Sequence, residues 1–458
     1  MKKLWGGRFK KKADAGFERF SASFIWDRRL LPYDLEIDAA HVKALKKCGV
    51  LSAAEASTLS AAISDLAEKT RSGRLRLNPK AEDVHSAIQE ALRKKIGPLA
   101  DKLHTARSRN DLVSQSTRLY CRAECLKIIE GARRLKLALV RQAEDCQEVL
   151  VPGMTHLQNA QVVSQAHIFL AYVQMIERAQ FRLRTALTLF DVCVLGSGAL
   201  AGVSYDLDQK MIARELGLSR ITQNSYDVSG DRDFVLNFLS SITLLGIQFS
   251  RIAEDLLVGQ ARGGAVVELD EAFCTGSSMM PQKKNADFLE LARGASAVFA
   301  ANFAGILLLL KGLPSSYNRD LQWDKKFLFD SVERCEELLE IFIRVVKTLK
   351  INRERARELL KDESIYATDL ADYLVSKGTP FARAHEEVGR LVSFAEAEKT
   401  PLSKIGLDLI QKFAPLAEGG VYAIFDARHS VRMKKTAGSA HPAEVRREIR
   451  YWKRKLKK

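Results

Sequence analysis

The chain holds only 10 prolines in 458 residues, and long stretches lack both proline and clustered glycine. A backbone so rarely interrupted is free to run in long helices. The apolar spacing agrees. Within 118–150, Leu119, Ala123, Leu126, Ile129, Leu137 and Val140 recur at helical intervals. Pro152-Gly153 breaks that pattern. Periodicity resumes over 165–190 and ends before Gly196 and Gly198. It returns over 233–258, 287–311 and 324–349. Helices this long, apolar on broad faces, bury more than one side, as members of a bundle do. No sustained alternation predicts a sheet, and no internal repeat is present, so the fold class is all-α. Breaks near Gly97-Pro98 and near Lys350-Ile351-Asn352 suggest three helical parts. These are an N-terminal domain over 1–104, a central long-helix bundle over 105–350 and a C-terminal domain over 351–458.

Composition narrows the function classes. Hydrophobic residues make up 47% and charged residues 28%, which is globular and neither disordered nor a small disulfide scaffold. No apolar run is read as reaching the ~18 residues of a membrane span, the longest being around Gly305 to Leu310. The opening residues carry no apolar signal-peptide core. Seven cysteines form no CxxC pair, which suits free thiols in a reducing cytoplasm and no metal site. Lys+Arg 72 against Asp+Glu 56 leaves a net charge of +16, concentrated at 2–12 and 446–458. No basic stripe interleaved with aromatics accompanies it, so no nucleic-acid partner is expected. Solvated termini and a bias toward anionic small substrates remain as readings of the charge.

Four polar segments are candidates for chemistry. The least helix-like central stretch, 259–285, ends in Gly276-Ser277-Ser278-Met279-Met280-Pro281-Gln282-Lys283-Lys284-Asn285. Backbone N–H groups at the start of the helix after it favour an anion. Lys283 and Asn285 add a cation and an amide, so the loop could hold a carboxylate or lower the pKa of a hydroxyl. An ordinary surface loop fits the same composition. The second segment, Thr155-His156-Leu157-Gln158, lies in the helix break. The third, His104-Thr105-Ala106-Arg107-Ser108-Arg109-Asn110-Asp111, precedes a long helix, and its arginine forks suit carboxylates. Capping and surface ion pairs are the plainer reading. The fourth is Tyr317-Asn318-Arg319-Asp320-Leu321-Gln322-Trp323-Asp324-Lys325.

Together these segments resemble one family. The 276–285 loop is similar to the GSSxMPxKxN signature of the aspartase/fumarase superfamily, whose members eliminate an amine or water to give fumarate. Leu4-Trp5-Gly6-Gly7-Arg8-Phe9, Ala81-Glu82-Asp83-Val84-His85, the 104–111 segment, Gly198-Ala199-Leu200-Ala201-Gly202 and 366–374 resemble the argininosuccinate lyase/delta-crystallin family within it. The likeness runs from about residue 4 to residue 430.

The resemblance implies three helical domains, with five long helices per chain joining a twenty-helix core in a homotetramer. It implies sites shared between subunits and cleavage of argininosuccinate to arginine and fumarate without cofactor or metal. By the match, Ser277 is the base, Lys283 and Asn285 stabilise the carbanion, and His156, paired with Glu290, serves the leaving group. Thr155 and Gln158 bind substrate. Ser108, Arg109 and Asn110 form a substrate loop, with Arg109 on a carboxylate. Ser23, Asp83, Tyr317, Gln322 and Lys325 surround the arginine part. Gly263-Gly264 and Gly276 would let the Ser277 loop close. The sequence departs from the family at Ala106, where Gly is usual, and at Met154, Asn159 and Val162, where Tyr, Arg and Pro are usual. It also departs at Ala286 (usually Pro), Arg319 (usually Lys) and Trp323 (usually Glu).

Overall fold

The computed structural model describes residue 11 and residues 13–261 and 266–457. Leu4–Phe9 and the Gly263-Gly264 pair lie outside the described residues. The fold is mainly helical, with a few short strands. Five helices are long: α1 (Arg109–Asp145), α2 (Gln165–Phe190), α3 (Asp233–Ala261), α4 (Asp287–Leu310) and α5 (Asp324–Thr348). Four of them match the apolar periodicity closely. Helix α1 starts well before the first periodic apolar residue, because its opening turns are buried by polar pairing instead. Asp111 accepts from Gly198 N–H at 2.9 Å, and Gln115 accepts from Val194 N–H at 2.8 Å. Ser114 donates to Val228 C=O at 3.3 Å, and Ser116 donates to Asp34.

The chain forms two compact units, and the divisions between them fall within the long helices. The first unit is Met1–Ile129, Phe181–Leu244 and Ala297–Cys335. In its core, Ile37, Ala40 and Ala44 pack with Leu112 and Leu119 of α1 and with Leu195, Ile212 and Leu216. The helix Leu31–Lys47 packs on the helix Ala53–Arg71, whose start is fixed by a Ser52–Glu55 capping box. The second unit is Glu130–Gln180, Leu245–Ser296 and Glu336–Lys458. Its core gathers Ile365, Leu370, Leu374, Val388, Leu391 and Ile410. Each fully buried side chain of this size stabilises the fold by roughly 1.5–3 kcal/mol. Here α1 and α5 approach so closely that a Cβ on Gly131 would lie 2.3 Å from Leu339 Cδ2.

Two expectations need correction. No sheet is predicted from the sequence, yet the break at Pro152-Gly153 is extended and paired. It belongs to an antiparallel hairpin of β1 (Leu150–Thr155) and β2 (Gln158–Ser164), irregular between Pro152 and Met154. The expectation that no stretch reaches membrane-spanning length also fails. By length and composition alone, Asp233–Gln260 and Asp287–Leu310 are each long and apolar enough to cross a bilayer. The two differ in burial, at 56% and 11% of their most apolar windows. On α4 the buried residues are Phe288, Leu289, Ala292, Phe299 and Ile306, a single stripe, while Leu291 and Leu308 stand exposed.

Four further elements belong to the second unit. Strands β3 (Thr275–Gly276) and β4 (Lys284–Asn285) pair antiparallel and close the signature loop. Helix α6 (Ala427–Arg432) is followed by α7 (Pro442–Lys457). The basic tail is therefore an amphipathic helix: Val445, Ile449, Trp452 and Leu456 are buried at helical spacing while its cations face out.

Candidate functional site

In the first unit, five of the expected binding residues, Ser23, Asp83, Arg109, Gln322 and Lys325, are linked directly or through a neighbour. Asp83 caps the helix Val84–Ile96 by accepting from Ser86 N–H at 2.7 Å, and it pairs with Arg109 at 3.0 Å. Arg109 also donates to Ser86 Oγ at 2.9 Å. Ser23 N–H donates to Glu82 C=O at 2.8 Å, which ties the Ser23 loop to the Asp83 loop. Ser23 Oγ donates to Asp27, and Lys325, 3% exposed, lies 3.9 Å from Asp27 and 3.3 Å from Asp324. Gln322 donates to Ser21 C=O at 3.0 Å, beside Arg319, which reaches Ser21 C=O at 3.1 Å and Glu82 at 3.3 Å. A cleft of about 480 Å³ opens here, lined by Ser21, Glu82, Ser86 and Arg109. Ser108 Oγ accepts from Asn110 N–H at 3.2 Å, and the Asn110 amide donates to Ala199 C=O at 3.1 Å. Gly198, in the turn that receives Asp111, has φ +59, and a Cβ there would lie 2.6 Å from Gly202 O. Only glycine fits it. Tyr317 is half-buried and acts electrostatically on Lys325.

Sequence reasoning missed the charges beneath this cluster. His85 and Asp34 pair at 2.6 Å, both buried. Burial alone would lower the His85 pKa, but Asp34, Asp83 and Asp27 hold it above its ordinary value. Burial works to raise the Asp83 pKa, yet His85 and Arg109 hold it below the usual carboxylate value. Burial pushes Asp27 up despite Lys325. For Lys325 the carboxylates of Asp324 and Asp27 overcome burial and hold its pKa up. The resulting set of alternating charges keeps Lys325 cationic between Asp324 and Asp27. The one available signal was the presence of Asp27, Asp34 and His85 at positions a helical core would give to apolar residues.

A second buried histidine, His41, predicts an acid response. His41, 1% exposed, donates from Nε2 to Thr105 C=O at 2.9 Å, and its pKa is pushed down to about 3 by burial and then by Arg107. The unfolded chain therefore binds a proton below pH ~6.5 that the folded chain refuses, so stability falls as pH drops through that window. Asp111, raised to about 6 by burial, acts in the opposite direction, so the His41 effect is read as a difference between proteins. Denaturant unfolding at pH 7 and pH 5 should show that His41→Gln, which keeps an amide donor, loses about 2 kcal/mol less than the parent. Equal losses would remove His41 from the acid response.

In the second unit, Thr155 and Gln158 are register partners at the hairpin tip, with His156 and Leu157 as the two-residue turn. Both turn residues have positive φ, 54° and 60°, without being glycine. A two-residue hairpin of this kind favours Asn-Gly, and each left-handed non-glycine residue costs roughly 1–2 kcal/mol. The strain holds an exposed imidazole at a fixed projecting point, as functional sites do. In the signature loop, Gly276 pairs with Lys284, which brings Ser277 and Lys283 to the two mouths of the turn. Ser277 Oγ accepts from Met279 N–H at 3.2 Å and Met280 N–H at 3.0 Å. Lys283 N–H donates to Met280 C=O at 3.1 Å. Thr275 donates to Asp287 at the start of α4, and Glu290 lies exposed in its first turn. Among the described residues, no hydrogen bond or ion pair joins His156 to Glu290, and Asn285 is half-buried at the end of β4. An oxygen that already receives two N–H groups is prepared to carry negative charge.

Comparison with known proteins shows the family of the chain. The lyase family matches residues 7–299, and the argininosuccinate lyase C-terminal family matches residues 364–432. The argininosuccinate lyase of Listeria monocytogenes serotype 4b (strain CLIP80459) is 42% identical over 96% of this chain and 96% of its own. The chain belongs to the argininosuccinate lyase family. The argininosuccinate lyase of Geobacillus sp. (strain WCH70) is 40% identical over 98% of each chain. That of Pelotomaculum thermopropionicum is 39% identical over 100% of this chain and 99% of its own. Among solved structures, an EDDS lyase in complex with formate superposes with a TM-score of 0.84 at 27% identity, covering 96% of this chain and 88% of that one. The class II fumarase of Schistosoma mansoni shares the fold, at TM-score 0.75 and 16% identity over 92% of each chain.

The structure gives physical meaning to two departures from the family pattern. Ala106 has φ 55, a left-handed backbone that suits the usual glycine and that alanine occupies at a cost. Trp323, in place of the usual Glu, is half-exposed and meets Phe20 edge-on at 6.0 Å between ring centroids.

Proposed function

We propose that this chain cleaves argininosuccinate reversibly to L-arginine and fumarate, as a carbon–nitrogen lyase of arginine biosynthesis. It acts in the cytoplasm as a homotetramer whose sites draw segments from three subunits. The observation that carries the reading is the Ser277 oxygen held by two backbone N–H groups in a hairpin loop that also presents Lys283. The near-40% identity over almost the whole chain to proteins named argininosuccinate lyase supports the substrate. The exposed apolar side of α4 supports self-association, since a soluble chain would otherwise leave Leu291 and Leu308, each 72% exposed, in water.

The reaction is a β-elimination. Ser277 Oγ takes the Cβ proton of the succinyl part, and the two N–H groups and Lys283 stabilise the oxygen as an alkoxide. The electron pair moves into the adjacent carboxylate as an aci-carboxylate, which Lys283 and Asn285 surround. It then returns to form the Cα=Cβ double bond as the Cα–N bond breaks. His156, supported by Glu290, serves protonation of the departing guanidinium nitrogen. Thr155, Gln158, Ser108, Arg109 and Asn110 hold the succinyl part, with Arg109 as a fork on a carboxylate. Ser23, Asp83, Tyr317, Gln322 and Lys325 receive the arginine part. No cofactor or metal enters the scheme.

A second reading keeps the chemistry and changes the amine. Trp323 against Phe20 puts an aromatic pair where the family has an acid, which suits a different N-substituted aspartate. Ultraviolet absorbance of fumarate decides between them, with argininosuccinate as substrate and adenylosuccinate and aspartate as controls. Turnover of argininosuccinate alone is the expected result. No turnover by a folded tetramer would overturn the substrate and leave the lyase family standing.

A further inference from the structure

A cleft of about 320 Å³ opens in the second unit, away from the signature loop in sequence. Leu150 and Ser164 at the base of the hairpin line it, with Arg428 and Arg432 of α6 and His441 and Arg446 at the start of α7. One carboxylate, Glu148, stands on its wall. Three guanidinium groups thus share a small cavity with a single acid. Elsewhere on and between these helices cations have found partners: Arg447 pairs with Glu444, Lys434 with Asp369, and Lys453 with Glu144. Among the described residues the side chains of Arg428, Arg432 and Arg446 make no hydrogen bond or ion pair, and all three residues are exposed. Gathering three like charges against a single acid is unfavourable in the empty protein and favourable once an anion arrives.

His441 adds a donor of fixed identity. Its Nδ1 accepts from Ala443 N–H at 3.0 Å, so the neutral ring carries its proton on Nε2. The first N–H groups of α7 are already taken, because Glu444 and Val445 both donate to His441 C=O. The side chains, and not the helix end, would therefore bind the ligand. Planar guanidinium forks match phosphoryl and carboxyl oxygens two at a time. The volume is at the small end of ligand sites, which suits a compact molecule and excludes an extended one.

We propose that this cleft binds a small polyanion bearing at least two adjacent phosphoryl or carboxyl groups. Leu150 and Ser164 are register partners at the open end of the hairpin that carries His156 at its tip. A bound anion would tie α6, α7 and the hairpin base together and raise thermal stability by mass action. The test titrates the full chain with inorganic pyrophosphate and, separately, with citrate, by calorimetry and by thermal unfolding. The double variant Arg432→Ser/Arg446→Ser and the single variant Arg428→Glu are measured beside the parent. These exposed, unpaired side chains can be changed without breaking a contact, and circular dichroism checks that the fold is kept. Binding of either anion, with a rise in Tm and a loss of affinity of at least about tenfold in both variants, is the expected result. Which anion binds separates a phosphoryl from a carboxyl ligand. Binding of neither anion would overturn the proposal. So would equal affinity in parent and variants, the result if Arg109 in the first unit held the anion instead.

Discussion

Replacing Ser277 by alanine is expected to lower fumarate release by about 10²–10⁴-fold while fold and assembly are retained. The size of the effect follows from the role. A Cβ proton beside a carboxylate is weakly acidic, and a serine hydroxyl removes it only where its alkoxide is stabilised. Two N–H groups at 3.2 and 3.0 Å supply that stabilisation in place, with Lys283 at the far mouth of the same turn. Alanine leaves those donors in position and removes the atom that takes the proton. The structural cost is small. The loop residues from Ser278 to Lys284 are exposed, so water satisfies the two N–H groups, and a hydrogen bond of this kind contributes about 1 kcal/mol at most. Absorbance of fumarate, circular dichroism and size-exclusion chromatography together separate chemistry from folding. Turnover within a fewfold of the parent, in a folded tetramer, would take the role of base away from Ser277.

Much of the fold was legible because its longest elements obey one period. The ranges 165–190, 233–258, 287–311 and 324–349 needed only apolar spacing and the absence of proline, and the helices follow them closely. The hairpin was not legible for the opposite reason. Its strands contain Pro152 and Gly153 and show no clean alternation, and its turn is His156-Leu157 with no Asn or Gly to announce it. What forms it is pairing between β1 and β2, with Val162 sunk into the second unit's core. The start of α1 was hidden similarly, since Gln115 and Ser116 are buried by partners far along the chain. The signature loop and the Arg109 segment stood out as dense polar runs. The Asp27–Asp34–His85 network did not, because its members lie among other charged residues on three separate segments, and only folding pairs them.

Mixing two inactive proteins is expected to restore activity. On the proposed mechanism Ser277→Ala lacks the base and His156→Asn lacks the group that serves the leaving nitrogen, so each alone is expected to turn over poorly. Within one chain His156 stands exposed at a strained hairpin tip and makes no hydrogen bond or ion pair with Glu290, which is itself exposed on α4. Two exposed polar groups with complementary roles and no mutual contact suit pairing across a subunit boundary. In a tetramer assembled at random from equal amounts of the two proteins, a site takes Ser277 from one chain and His156 from another. The chance that both are intact is one half for each, so about a quarter of the sites recover. The experiment unfolds and refolds the mixed proteins, verifies hybrids by native mass spectrometry, and measures fumarate release against each parent treated alone. Recovery near a quarter of unmutated activity means that the two residues come from different chains. If they come from the same chain, every site in every hybrid keeps one defect, and verified hybrids remain as inactive as their parents.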